Sequence, residues 1–307
     1  MYFLSDEERK ILVKGLIPKA RAAEVNEELR GWNWHRPPLE PIYAVRLGVY
    51  EVASCYCPTA RDLFLRRVRN IKARPNEAMM MGSLIHEVVS KVLVKAKRLI
   101  YQHGVQNYRQ IVSELLQPDG NDYIPALVQQ MPEGSSELAR QRAESVWQFE
   151  SSRIIARLQD VLSRQPYVGE DALVALAVPV VVEQKLDGTF LGLSRNLSAD
   201  ACTFTEPMVL DLKYGKPRDF HRLGTTGYAM VMEAIYEFPV DIGCIVYVDF
   251  QGDRVVIKRE FHLIDDELRQ WFIEERDQKM RIVSDELDPG KSEECYDQCP
   301  YAPECSV

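Results

Sequence analysis

Three cysteines, Cys295, Cys299 and Cys305, fall within the last 13 residues, in the stretch CYDQCPYAPECSV. This feature restricts the possible folds more than any other. A tail this short has little else to pack, and Pro300 and Pro303 stiffen the backbone between the sulfurs. Three thiolates leave an iron–sulfur or zinc shell one ligand short, so a fourth sulfur has to come from elsewhere in the chain. Cys202 and Cys244 sit in apolar, strand-like stretches and read as small buried hydrophobes. Cys55 and Cys57 remain. Joining either to the tail closes a loop over most of the 307 residues and confines the unfolded ensemble.

Composition bears on how the sulfur is used. Hydrophobic residues make up 46% and charged residues 27% of the chain, ordinary values for a soluble globular protein. No apolar run is long enough to span a bilayer, and MYFLSDEERK lacks a signal-peptide pattern. The expected location is the cytoplasm, whose reducing conditions disfavour structural disulfides among the seven cysteines. The net charge of −8 gives no global sign of nucleic-acid binding. Residues 60–75 depart from that balance, with Arg61, Arg66, Arg67, Arg69, Lys72 and Arg74 against Asp62. Such a run is either a solvated helix face or a surface turned to phosphates.

Along the chain, Ser5 and Glu8 form a capping-box pattern that opens a helix to about Arg30. GWNWHRPPLEP is a connector whose aromatics read as core anchors or a stacking surface. Residues 55–71 read as a turn entering a helix, with Pro58 in its first turn. Ile85, Val88, Val89, Val92 and Leu93 mark an amphipathic helix from Gly82 to about Tyr101, and polar helices continue to about Arg164. From Asp171, DALVALAVPVVVEQKLDGTFLGLS predicts a long strand, an Asp187-Gly188 turn and a second strand. SADACTF and PMVLDLKY predict a further hairpin, followed by a helix over about Leu223–Glu237. GCIVYVDF and RVVIKREFHL predict two more strands before a helix over about Ile264–Ser284. The reading is an α/β (α+β) chain in three parts: a helical part over 1–165, a mixed sheet core over 166–290, and a cysteine clasp over 291–307 packing against 55–75.

The chemistry concentrates in the hairpin. Asp211 and Lys213 are two apart on a strand and share a face, with Leu212 on the other. Their apolar flanks argue against an ordinary exposed ion pair, and burying both charges is costly without a metal or a tight network. The short hairpin brings Asp200 beside Asp211. Two carboxylates so close repel unless a cation stands between them, and hard oxygen donors suit magnesium or manganese. His86 sits at the margin of its helix's apolar stripe; as a ligand it adds a nitrogen and favours manganese. Gly82, four residues earlier, gives that helix room to approach the sheet. Glu183-x-Lys185 offers a second acid–lysine pair, ranked below because no acid-bearing strand precedes it; Glu183 is a candidate outer partner of the site.

The order G-x-x-x-H, D, D-x-K and then a helix bearing Tyr228 resembles the RecB-type nucleases of the PD-(D/E)xK superfamily. With YCPTARDLFLRR and the terminal C-x3-C-x5-C, the chain resembles more narrowly the CRISPR-associated RecB-like iron–sulfur exonucleases, in their longer archaeal subtype I-A branch. The resemblance runs from about Cys57 to Cys305. It implies that His86, Asp200, Asp211 and the Leu212 carbonyl bind Mn2+ or Mg2+, and that Lys213 positions the attacking water. It matches Tyr228 to the aromatic of a Q-x-x-x-Y motif, although Gly224 stands where that motif has glutamine. It makes Cys57 the fourth ligand, with Cys55 as the alternative, and makes the group a [4Fe–4S] cluster, although zinc fits the same spacing. Arg61, Arg66, Arg67 and Arg69 become candidate DNA contacts. The implied activity is exonucleolytic processing of spacer-precursor DNA, on single strands or frayed ends, with the CRISPR integrase and its small companion subunit as partners. Two other functions fit the same residues: a DNA-binding or recruitment subunit that cuts poorly, and a RecB-type repair nuclease.

Overall fold

The computed structural model describes residues 1–73, 75–117, 128, 131, 133–295 and 299–305. Arg74 of the basic tract lies outside the described residues, as does much of the polar stretch between Gln117 and Glu133. Helices fill the first half. Helix α1 (Asp6–Ile11) opens on the expected capping box, in which Ser5 Oγ accepts from the Glu8 amide and the Glu8 carboxylate accepts from the Ser5 amide. It passes through a π-helical turn, Leu12–Leu16, into α2 (Ile17–Ala22), so the helix stops short of Arg30. Two short helices follow, α3 (Val49–Ala53) and α4 (Arg61–Arg67). Pro58 lies in a turn ahead of α4 and not in its first turn, because Ala60 breaks the backbone with φ at 58°. Helix α5 (Glu77–His103) runs further at both ends than its apolar stripe predicts, and α6 (Tyr108–Leu116) and α7 (Glu133–Arg164) pack beside it.

The sheet begins later than the apolar pattern suggests. DALVALA forms a helix, α8 (Glu170–Ala177), and not a strand. Ala and Leu favour helix, Glu170 and Asp171 suit its first turn, and a short apolar run carries too little periodicity to separate the two states. TFLGLS is no strand either; it forms a 3-10 turn, Thr189–Leu191, and one isolated bridge from Leu193 to Leu47. The strands are β1 (Val181–Leu186), β2 (Leu197–Thr203), β3 (Met208–Tyr214), β4 (Ile242–Gln251) and β5 (Arg254–Leu263), in spatial order β1-β2-β3-β4-β5. Only β3 and β4 are parallel, joined through α9 (His221–Tyr236) as a parallel connection requires. The long helix α10 (Asp266–Ser284) starts from an Asp265 cap, and α11 (Ala302–Cys305) ends the described chain. The result is the expected α+β arrangement around a mixed sheet.

Alternation along β3 sorts its residues between two cores. Leu210 and Leu212 join the cluster formed with α5, α6 and α7, whereas Val209 joins the one formed with α9 and α10. Gly227 permits the α9–α10 contact, since a Cβ there would lie 2.4 Å from the Phe272 ring. Behind it, fully buried Glu233 accepts from Arg269 Nη1 and Nη2 at 2.7 and 2.8 Å, from Arg30 at 2.8 Å, and from the Gly31 and Val240 amides. Arg269 is also fully buried, so cutting this network leaves charge stranded in the core. Glu233→Gln is expected to destabilise the protein by about 3 kcal/mol or more in urea titrations. A loss under about 1 kcal/mol would mean that the network does not fasten α9 to α10.

Candidate metal centre and cysteine clasp

Hairpin register assembles the site. Ala201 pairs with Leu210 across β2 and β3, which sets Asp200 against Asp211 at the open end. Helix α5 supplies His86 from the other side. One ligand atom from each of His86, Asp200 and Asp211 lies within 4.8 Å of the others, the one such metal-sized grouping among the described residues. The backbone at Leu212 ties them together: its carbonyl lies 2.9 Å from His86 Nε2, and its amide donates to Asp200 Oδ2 at 3.1 Å. His86 Nδ1 lies 3.3 Å from the same Asp200 oxygen. Lys213 Nζ contacts both Asp211 oxygens, at 2.8 and 3.0 Å.

Burial and mutual contact set the electrostatics of these four groups. Burial, then the neighbouring Asp211 carboxylate, pushes the Asp200 carboxyl well above the usual range. Burial also pushes Asp211 upward, but the Lys213 ammonium and hydrogen bonds from Asp200 and Lys213 overcome it and leave that carboxyl below its ordinary value. Burial lowers His86, with the Asp211 carboxylate opposing, so the imidazole is neutral at pH 7. A neutral ring that donates Nε2–H to Leu212 turns its Nδ1 lone pair towards Asp200. Only a proton or a cation makes that approach favourable. Burial works against the Lys213 charge, but Asp211 and Asp200 hold the ammonium above its ordinary value. The donor set of one imidazole, two carboxylates and a nearby carbonyl fits Mn2+ or Mg2+. A bound cation favours the ionised form of Asp200 that burial and Asp211 disfavour, so manganese binding is expected to tighten as pH rises, measured by titration at several pH values. Affinity that does not change with pH would contradict coupling of the ion to this carboxyl.

The close approach expected at Gly82 is found at Gly224 instead. A Cβ at Gly82 would meet only Tyr214 Cβ, at an ordinary 3.8 Å, so Gly82 is not what brings α5 to the sheet. At Gly224 a Cβ would lie 3.0 Å from Asp211 Oδ2, so the bare backbone there lets α9 close over the carboxylate. Tyr228, one turn on, is half-buried, and its phenol is pushed upward by burial and then by Asp200 and Asp211. Glu183 and Lys185 are exposed on the edge strand and share Ser198 Oγ; Glu183 lines the same cleft as His86 and Asp200 but is not one of the three clustered ligands.

Sequence reading missed a polar chain beside Lys213. Tyr56 Oη lies 2.9 Å from His221 Nε2, and His221 Nδ1 lies 3.1 Å from Tyr247 Oη. Tyr247 is the register partner of Lys213 on β4. Burial, then the Lys213 charge, lowers His221 to about 4, so it is a neutral bridge. Tyr56 stands between Cys55 and Cys57, which places the cysteine loop in contact with the periphery of the acid–lysine site.

Comparison with known proteins decides what this arrangement belongs to. The family model for CRISPR-associated exonuclease Csa1 matches residues 1–307, the whole chain. The chain belongs to this family. Relatives named CRISPR-associated exonuclease Csa1 from Saccharolobus solfataricus and Thermoproteus tenax are 31% identical over 281 residues and 30% identical over 283 residues. Each alignment covers 92% of this chain and 92% of the relative.

In this member of the Csa1 family the tail returns to α4. Tyr301 and Cys305 are buried with Ala60, Phe64, Leu65 and Ile282, and Cys299 packs against them. The thiols sense one another: burial, then Cys305 and Cys57, raises Cys299, while burial, Cys57 and Cys295 raise Cys305 against the pull of Arg61. Cys55 is engaged elsewhere, with Lys279 Nζ 3.6 Å from its sulfur and also bound to the Val52 and Ser54 carbonyls. Cys202 and Cys244 are buried in β2 and β4. Cys57 and Cys295 have only weak local contacts, to Thr59 Oγ1 at 3.6 Å and the Ser292 carbonyl at 3.8 Å. The arginines of the basic tract are largely spoken for. Arg61 binds Asp288, Arg66 and Arg67 face buried Glu51, and exposed Arg69 lies over the Phe64 ring. No described helix is long and apolar enough to cross a membrane.

Proposed function

We propose that the protein is a divalent-metal-dependent exonuclease that hydrolyses DNA phosphodiesters in CRISPR adaptation, trimming the ends of spacer precursors in the cytoplasm. The observation that carries this reading is the convergence of His86, Asp200 and Asp211 beside Lys213. A bound Mn2+ or Mg2+ would supply Lewis acidity towards phosphate oxygens and water. His86, both aspartates and the Leu212 carbonyl would hold it. Lys213, whose ammonium lies against both Asp211 oxygens, serves as a hydrogen-bond donor that orients water and balances charge growing on the phosphoryl oxygens. The Tyr228 phenol stays protonated and is a donor to a strand lying over Asp211. Gly224 leaves space for the Asp211 carboxylate, so the absence of glutamine there is compatible with a working site.

We further propose a [4Fe–4S] cluster on Cys57, Cys295, Cys299 and Cys305, and action alongside the CRISPR integrase and its small companion subunit. The mutual influence of the thiols and the engagement of Cys55 by Lys279 support the ligand choice. The test of function uses end-labelled linear single-stranded DNA and a circle of the same sequence. With manganese, the linear strand is expected to shorten from an end while the circle survives; chelator stops the reaction. Metal-independent cutting, or equal cutting of the circle, would overturn the exonuclease reading. Salt-sensitive binding without cleavage would instead support a recruitment subunit.

A further inference from the structure

A cleft of about 720 Å³ opens directly from the acid site, within the usual range for ligand-binding clefts. Its one end carries His86, Asp200 and Glu183. From there it follows a single stripe of α5, on which Lys91, Lys95 and Arg98 also line it. The spacing of four and three residues puts one cation on each of three successive turns. Helical rise sets them about 7.5, 13.5 and 18 Å beyond His86 along the axis. Charge is thus graded from acids at the metal end to cations at the far end.

These cations differ from those of α4. Arg61, Arg66 and Arg67 neutralise Asp288 and Glu51. Arg98 is exposed and has no ion-pair partner among the described residues. Lys91 has only the helix-surface pair with Glu87, at 2.9 Å with both side chains more than a third exposed, an interaction worth little against a phosphate. Lys95 forms the floor, its ammonium 5.8 Å from the centre of the buried Trp147 ring.

We propose that this cleft is the track for the sugar–phosphate backbone of a single DNA strand, with Lys91 and Arg98 as its phosphate contacts. The inference rests on the nuclease reading and adds the path of the substrate to it. The volume equals that of a cube about 9 Å on edge, which takes a few nucleotides of one strand; a duplex, with grooves about 12 and 6 Å wide side by side, is too broad to enter. Trp147, the one aromatic in the lining, is buried and presents no face for base stacking. Recognition here goes through backbone charge and is indifferent to sequence.

The experiment measures binding of a fluorescent single-stranded oligonucleotide by anisotropy across a salt series, in full-length protein carrying Lys213→Ala so that cutting does not interfere. Lys91→Gln with Arg98→Gln is expected to weaken binding roughly tenfold and to make the salt slope shallower by about 1.4, the share of two phosphate contacts on a single strand. Arg281→Gln on α10, outside the cleft, is expected to change neither, and oligo-dT and oligo-dA to bind alike. Glutamine is a good helix former at exposed positions, and circular dichroism checks that α5 is intact. If wild-type protein cuts DNA but the double variant keeps the parent's slope, the track is wrong and the nuclease reading stands. If wild-type protein with manganese neither binds nor cuts single strands, both fall.

Discussion

Lys213→Ala is expected to lower DNA cleavage by about 10²–10³-fold, and Asp211→Ala to take it to background. The first figure is the usual loss when one preorganised charged donor is removed from a site where charge develops. Lys213 is held by both Asp211 oxygens, at 2.8 and 3.0 Å, so its ammonium is placed before substrate arrives. Removing Asp211 does more. It takes away a ligand atom, frees the lysine and leaves Asp200 and His86 without the third member of their cluster. The two changes act on one unit, so the double variant should be no slower than Asp211→Ala alone. Single-turnover rates on end-labelled single-stranded DNA measure this. Cleavage within a few-fold of wild type in either single variant would remove the acid–lysine pair from the mechanism.

Cys57→Ser is expected to produce the largest loss of stability. Residues 57 and 295 bracket most of the chain, and the proposed cluster, by joining them, would remove loop-closure entropy from the unfolded state. For a loop of that length the chain-entropy relation gives about 5 kcal/mol, a fall in Tm of roughly 8 °C for a chain of 307 residues. The folded side contributes as well. Cys305 and Tyr301 pack on Phe64 and Ile282, so a loosened tail uncovers the joint between α4 and α10. Visible absorbance bleached by dithionite should accompany the intact protein and vanish in the variant. Cys55→Ser is the control. It removes a sulfur bound to Lys279 and should leave absorbance unchanged. If Cys55→Ser alone abolished the absorbance, the assignment of the fourth ligand would be reversed.

The sequence disclosed elements whose signals are local. The Ser5–Glu8 capping box, the β2–β3 hairpin, the strands β4 and β5 after helix α9 and the long amphipathic α5 all follow from caps, alternation and periodicity. The juxtaposition of Asp200 and Asp211 was legible for the same reason, since a short hairpin fixes its own register. Segments 171–177 and 189–194 were misread because apolar runs of that length satisfy helix and strand alike. Contacts made at long range left no trace in the sequence. His221 meets a tyrosine 165 positions away, and Lys279 binds the cysteine loop from 224 positions away. Gly224 reads as a departure from a motif, whereas its nearest neighbour is the Asp211 carboxylate, and the basic run reads as a solvated or phosphate-facing face, whereas Glu51 and Asp288 stand opposite Arg61, Arg66 and Arg67.

Electron paramagnetic resonance of the protein titrated with Mn2+ tests the centre itself, with no dependence on turnover. A single tight site per chain is expected, with coupling to one imidazole nitrogen that His86→Ala abolishes and with affinity that Asp200→Ala destroys. Manganese bound equally well by both variants, with the nitrogen coupling retained, would place the ion elsewhere and contradict the account.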